Sequence, residues 1–329
     1  MTPGKFQPTI HSMTRTCSSS LVLAALLAAL SPELPAAEPS WSLRPGVNGV
    51  TLVSPSGRDV LGYLKTKPAG SALSANSACG IFPLLTPSGE SVVALAPKDH
   101  PHHRGVFFAW YEVKGIEKAD FWGWGAHAPT KDRKIVNTAL RLAESPTDHA
   151  RLLIENEWRV GDVVMVRETL VVTSRMLPEG NWQELAFTLT PASEMTVPRA
   201  AFSGFCVKGK SGKNAVITSP DGPVKLPAPK HDDPITGWPD AAWYDYTATL
   251  DTGKAAGIAV LSHPSNPPTK WHNPIGIAMI NPCILMDGDL VLKPSQPLTL
   301  RYALLAHDGP APVAALEQLA KKFRAPSGK

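Results

Sequence analysis

From Val47 onward, apolar and polar residues alternate in short runs that turn-forming residues interrupt, a period of two that predicts strands joined by tight turns. Thr51–Val53 and Val60–Leu64 flank the turn Ser54-Pro55-Ser56-Gly57, and Gly80–Leu85 and Ser91–Leu95 flank Thr86-Pro87-Ser88-Gly89. The clearest hairpin spans Arg151 to Val172 and reverses at Gly161-Asp162, a pair suited to positive φ. Val160, Val163, Val164 and Val166 argue against helix there. Further strands are predicted at Trp182–Thr190, Ala201–Val207, Ala215–Thr218, Tyr244–Leu250, Ala256–Ser262, Gly276–Ile280, Asp289–Leu292 and Leu298–His307. Helical spacing is confined to the C-terminus, where Val313, Leu316, Leu319 and Phe323 share a face after Pro312. The pattern predicts an all-β chain, a large antiparallel β-sandwich with a short C-terminal helix.

The N-terminus departs from this pattern. Arg15 precedes the apolar stretch Leu21–Leu30, and Ser31, Pro32, Ala36 and Ala37 follow it. As a helix that stretch spans only ~15 Å, about half a bilayer core, so it predicts a signal peptide over residues 1–37 rather than a membrane span. The expected product is a single domain over 38–329, periplasmic or secreted. Export would leave Cys79, Cys206 and Cys283, which permits one disulfide and leaves one thiol free. The net charge of +4 is modest, and the cluster Lys208, Lys210, Lys213 lies among glycines in what reads as a solvated hairpin loop, so no nucleic-acid partner is expected.

Three clusters could carry chemistry. The first, Asp99-His100-Pro101-His102-His103-Arg104-Gly105, puts three imidazoles, a carboxylate and a guanidinium within six residues. In an extended segment His100, His102 and Arg104 would share a face, with His103 opposite. Such imidazoles could ligate a divalent metal; equally, one could transfer a proton while Arg104 binds an anion or a developing oxyanion. The second cluster is Asp120-Phe121-Trp122-Gly123-Trp124-Gly125-Ala126-His127, whose indoles between glycines suit stacking on a sugar face. The third runs from Ser262 to Pro274 and contains His263, Asn266, Trp271 and His272 among four prolines that would stiffen the loop; Trp243 and Asp245 enter the strand before it. Glu155 and Glu157, beside Arg159, read as a solvent-facing ladder. Ser203 lacks a GxSxG context, and the absence of GxGxxG, P-loop and HExxH patterns argues against a nucleotide cofactor.

At these residues the chain resembles a bacterial family labelled "methane oxygenase PmoA", which has no firmly established function. The resemblance rests on Thr86 to Gly89, Asp99 to Gly105, Asp120-Phe121-Trp122, Ala242 to Tyr246, Ser262 to Asn266, Pro268 to His272, Asn281-Pro282 and His307-Asp308-Gly309. The family commonly carries Asp where this chain has Ser262. The resemblance implies a sandwich similar to sugar mutarotases and a role in carbohydrate breakdown. Membrane methane oxidation is excluded, because it requires several long apolar spans.

The combined expectation is an exported lyase, hydrolase or epimerase acting on a glycoside or modified sugar, with a small-molecule or oligosaccharide substrate. His100 or His102, with His103 beside them, would transfer the proton, and Arg104 would anchor an anion or hydroxyl. His272 would add a second polar contact and Trp122 or Trp124 a stacking platform; Asp99, His127, Trp243, Asp245, His263, Asn266 and Trp271 are candidate substrate contacts. Two alternatives stand beside it. One is a metal-dependent hydrolase or lyase, with ligands from His100, His102 or His103 and from His127, His263 or His272; the other is a non-catalytic carbohydrate-binding protein.

Overall fold

Alternation decides which face of each strand is buried. In the strand Ala150–Val160, Ala150, Leu152, Ile154, Asn156 and Trp158 are buried and the residues between them face outward. This strand turns through Gly161, at φ +56°, into Val163–Leu177, so the predicted hairpin forms with Val160 opposite Val163. A computed structural model describes residues 40–224 and 238–325, which leaves the expected signal segment outside the described residues.

Two antiparallel sheets make the sandwich. The first runs, edge to edge, through Ser42–Gly46, Gly49–Val53, Asp59–Leu64, Gly80–Leu84, Val106–Ala109, Gly204–Lys208, Met279–Cys283 and Lys270–His272. The second runs through Gly222–Pro223, Lys213–Ser219, Trp243–Thr249, Ala255–Ser262, Leu298–Asp308, Gly180–Pro191, Val163–Leu177, Ala150–Val160 and Arg133–Glu144. A small third sheet joins Leu290–Leu292, Met195–Val197, Val113–Lys114 and Lys118–Ala119. Aromatic rings fill the space between the large sheets: Phe205 stacks on Tyr302 at 4.1 Å, and Phe108 meets Phe187 at 5.2 Å. A buried polar network spans the same core, in which Glu168 accepts hydrogen bonds from Asn156 Nδ2 and Trp158 Nε1, both at 2.8 Å, and Asn156 Nδ2 also reaches Tyr63 Oη. The C-terminal helix, Val313–Arg324, packs Leu316, Ala320 and Phe323 on the outer face of the second sheet, against Trp182, Trp243 and Leu305.

Several local expectations are corrected. Ser91–Leu95 forms isolated bridges rather than a strand. Gly276–Ile280 divides into a 3-10 turn, Ile275–Ile277, and the strand Met279–Cys283, because Ala278 adopts a left-handed conformation at φ +49°. Arg133–Glu144 is an additional long edge strand, whose alternation two bulges interrupt. Cys79, Cys206 and Cys283 are all free and buried. Lys208 is the largest departure: its side chain is fully buried at the end of a core strand, whereas a solvated loop was expected.

Candidate functional site

The segment carrying the first cluster connects Gly80–Leu84 to Val106–Ala109. Its last residue, Gly105, has φ +65°, and a Cβ there would lie 2.2 Å from Ile81 O, so only glycine lets the loop enter the sheet this closely. Arg104 turns inward and is fully buried. Its guanidinium donates to Trp122 O at 3.1 Å, Phe121 O at 3.3 Å, and Cys79 O and His102 O at 3.4 Å, and lies 4.3 Å over the Phe107 ring. Burial lowers its pKa to about 10. The expected anion anchor is thus committed to backbone carbonyls, and Arg104 does not line the pocket described below.

Its effect is to hold the second cluster. Arg104 grips the carbonyls of Phe121 and Trp122, while buried Asp120 accepts Gly123 N–H at 2.7 Å and Gly125 N–H at 2.6 Å. Burial raises the Asp120 pKa, against the pull of those backbone donors. Gly123, at φ +98°, lies where a Cβ would come within 2.5 Å of Ala75 Cβ. Opposite charges therefore clamp one loop from both sides, and Trp124 projects from it with 43% exposure. Trp122, expected as an alternative platform, is fully buried edge-on to His103 and Phe107.

A pocket of about 70 Å³ opens where the loops meet, lined by His100, His102, His103, Trp124, Phe202, His272, Ile277 and Met279. All three clusters contribute to it. The imidazoles pack ring to ring, with His102–His103 centroids at 4.6 Å and His100–His103 at 5.0 Å, and Phe202 faces His272 at 5.3 Å. Burial, with the charges of Arg104 and Lys208 behind it, lowers the His102 pKa to about 4, and burial holds His103 well below its ordinary value. Both rings are neutral at pH 7. His103 Nδ1 is buried with no hydrogen-bond partner among the described residues.

His100 is placed differently. Its Nδ1 lies 3.1 Å from Asp99 Oδ2, and the same oxygen lies 3.4 Å from Lys208 Nζ, which also donates to Ile277 O. Burial works to raise the Asp99 pKa, but the His100 hydrogen bond and the Lys208 charge outweigh it, so the carboxyl lies below its ordinary value. A neutral His100 donates Nδ1–H to this carboxylate and keeps its lone pair on Nε2.

Sequence reasoning missed Phe202, Ile277, Met279 and Lys208. Phe202 is presented by Ser203, whose φ of +143° is rare for a residue with a side chain. Asn281 fixes that geometry, accepting Ser203 N–H at 3.0 Å and donating to Ser203 O at 3.1 Å. The Asn281-Pro282 pair was visible in the sequence, but its role depends on contacts 78 residues away.

Other expected contacts lie elsewhere. Trp243 is in the core under the C-terminal helix and bonds Glu317 at 2.8 Å. Asp245 is fully buried, paired with His307 Nε2 at 2.7 Å and Thr247 Oγ1 at 2.6 Å. His127 is exposed beside Tyr111 and Trp124 at the rim. His263, Asn266 and Trp271 line a second cavity. The metal sets are not assembled either: among the described residues no three His, Cys, Asp or Glu side chains have a metal-holding arrangement, and His272 alone of the distant histidines joins the first cluster's pocket.

Residues 51–321 match the profile of a "Family of unknown function (DUF6807)". This replaces the methane oxygenase resemblance, for which the comparisons give no support. No curated protein matches the sequence. Among solved structures, the chain is similar to a galactose mutarotase related enzyme from Lactobacillus acidophilus, at 8% identity and TM-score 0.36, over 81% of this chain and 97% of that one. It is also similar to a GH36 alpha-galactosidase from Geobacillus stearothermophilus, at 9% identity and TM-score 0.36, over 82% of this chain and 38% of that one. Likeness at this level says nothing about chemistry. Among the described residues no helix is long and apolar enough to cross a membrane.

Proposed function

We propose, for a chain that belongs to DUF6807, a family of unknown function, an exported enzyme that moves a proton on a carbohydrate, as an epimerase or lyase does. The observation that carries this reading is the convergence of His100, His102, His103, His272 and Trp124, from three separate stretches of chain, on one pocket.

The lining residues narrow the chemistry. Glycoside hydrolysis ordinarily uses two carboxylates flanking the scissile bond, and among the described residues no carboxylate lines this pocket. Imidazoles suit abstraction and return of a proton instead. His100 is the proton-transferring group: Asp99 receives its Nδ1–H and stabilises the imidazolium that forms when Nε2 takes a proton. His102, with a pKa of about 4, is too weak a base for that task at pH 7 and acts as a neutral hydrogen-bonding wall with His103. Trp124 offers an indole face at the rim, where a sugar ring stacks while its reacting edge enters the pocket.

Size supports action on one residue or a chain end. A cavity of about 70 Å³ admits part of a sugar ring, whereas pockets that engulf whole ligands run to about 300 Å³ or more. The test is prolonged incubation of wild type, His100→Ala and His102→Ala with a panel of mono- and oligosaccharides, followed by product analysis. The reading expects an altered sugar from wild type and a loss of at least 100-fold for His100→Ala. Sugars bound but recovered unchanged from wild type would establish a binding protein instead.

A further inference from the structure

A carbon gives up a proton only when a neighbouring group acidifies it, and that group, being bonded to the reacting carbon, enters the pocket with it. The lining therefore decides which group is admitted. Trp124, Phe202, Ile277 and Met279 are apolar, His102 and His103 are neutral at pH 7, and among the described residues no lysine or arginine lines the space. The cations behind it are committed elsewhere. Lys208 has a fully buried side chain that faces Asp99 Oδ2 and Ile277 O, and Arg104 is fully buried on backbone carbonyls.

We propose that the substrate is an uncharged sugar ring with a ketone beside the reacting carbon, a glycoside oxidised at a ring hydroxyl rather than a uronate, and that the N–H of His102 holds the enolate oxygen. The inference rests on the reading of His100 as the proton-transferring group.

Three observations lead there. The first is charge. A carboxylate beside the reacting carbon would leave water for a half-apolar space with no cationic side chain to pair it, and loss of the proton would add a second negative charge. A ketone enters uncharged and acquires one.

The second is the donor. His102 lines the pocket, and its ring nitrogens make no hydrogen bond among the described residues; unlike His103 Nδ1, neither is sealed from the surface. A neutral imidazole always carries one N–H, so a donor is open to a ligand in either tautomer. The Arg104 and Lys208 charges that help keep this ring neutral also favour its hydrogen bond to a developing anion.

The third is geometry. The His100 and His102 rings meet edge-on with centroids 5.7 Å apart, so both can reach a single H–C–C=O unit, whose first carbon and oxygen are about 2.4 Å apart. Trp124 at the rim suits a closed ring. A sugar closed on its own carbonyl has none left, and ring and ketone coexist once a ring hydroxyl is oxidised.

In the step itself, His100 Nε2 takes the proton, the C–H pair becomes the C=C bond of an enolate, and the C=O pair moves onto oxygen, where His102 N–H donates. The carbon then regains a proton, from His100 or from water on the other face. Alternatively, an oxygen substituent on the next carbon leaves with its bonding pair and accepts the proton from His100, which gives an unsaturated ketone.

The test is NMR in D2O on methyl glucosides and galactosides oxidised to the ketone at each ring hydroxyl in turn, with the parent glycosides and methyl glucuronoside as comparison probes. Wild type, His100→Ala, His102→Ala and His102→Gln are compared above the enzyme-free rate, each checked for an unchanged circular-dichroism spectrum. At least one ketone should exchange or lose the proton beside its carbonyl at least about 100-fold faster than the parent glycosides and the glucuronoside. His100→Ala and His102→Ala should each slow this about 100-fold, while His102→Gln, whose amide can donate but cannot serve as the base, stays within about 10-fold of wild type. Reaction of the glucuronoside as fast as any ketone, dependent on His100, overturns the substrate class and leaves the proton-transfer reading standing. Reaction of no probe, or equal rates in wild type and His100→Ala, overturns both. Ketone-selective reaction that His102→Ala retains, or that Ala and Gln lose equally, overturns the role given to His102.

Discussion

The neutral state of His102 makes a quantitative prediction about acid stability. Its folded pKa is about 4 against an ordinary 6.5, because burial and neighbouring cations disfavour the charged ring. Above pH 6.5 neither the folded nor the unfolded chain protonates it. Between 6.5 and 4 the unfolded chain takes up the proton and the folded chain does not, so stability falls with pH, and below 4 the loss is complete. Integrating from pH 8 to pH 5 gives a loss of about 2 kcal/mol from this one side chain. His103 adds a loss of the same sign. The perturbation is His102→Gln, which removes one titration and leaves the other. Urea unfolding at pH 8 and pH 5 should find the variant losing about 2 kcal/mol less than wild type over that interval, or about 0.7 M in midpoint at a slope of about 3 kcal/mol/M. Equal losses in the two proteins would mean that the folded pocket accepts a proton on His102 as readily as the unfolded chain does, and the neutral-wall account of the site would fail.

Three further substitutions test the construction of the pocket. Arg104→Lys keeps a charge but loses the planar fork that reaches several carbonyls, and should destabilise the protein by about 3 kcal/mol in thermal or urea unfolding; full stability would refute its structural role. Gly123→Ala places a Cβ against Ala75 at a positive φ, so it should cost about 1–3 kcal/mol and weaken sugar binding by displacing Trp124, both read from one unfolding and one titration experiment. Trp124→Ala removes a half-exposed ring, so unfolding should shift by less than about 1 kcal/mol while sugar affinity falls about 10-fold; an unchanged affinity would remove Trp124 from the site.

Alternation in Arg151–Val172 was sufficient to read its hairpin, because one face meets the core and the other meets solvent. Arg133–Glu144 was not readable in this way: Ile135, Leu140 and Leu142 all pack on the core, but the bulge between Asn137 and Ala139 breaks the strict period that would have linked them. The histidine cluster announced itself by composition, but the division of labour within it did not. His100 differs from His102 through Asp99 and Lys208, and Lys208 comes from a strand 109 residues beyond Asp99. In sequence Lys208 looks like any lysine near glycines; only its register opposite Met279 buries it. Arg104 misled for the complementary reason. An arginine beside three histidines looks catalytic, yet the carbonyls of Phe121 and Trp122 need a donor, and its side chain is the one that reaches them.

The central claim is that His100 moves a proton on a sugar carbon. Its most direct test is uptake of deuterium from D2O into carbon-bound positions of pooled sugars and sugar acids, followed by NMR with wild type and His100→Gln in parallel. The account predicts deuterium at a carbon adjacent to a carbonyl or carboxylate with wild type, and at least 100-fold slower uptake with the variant. Equal uptake in both proteins, or conversion of a sugar by wild type with neither deuterium at carbon nor loss of a carbon-bound proton to a new double bond, would contradict it.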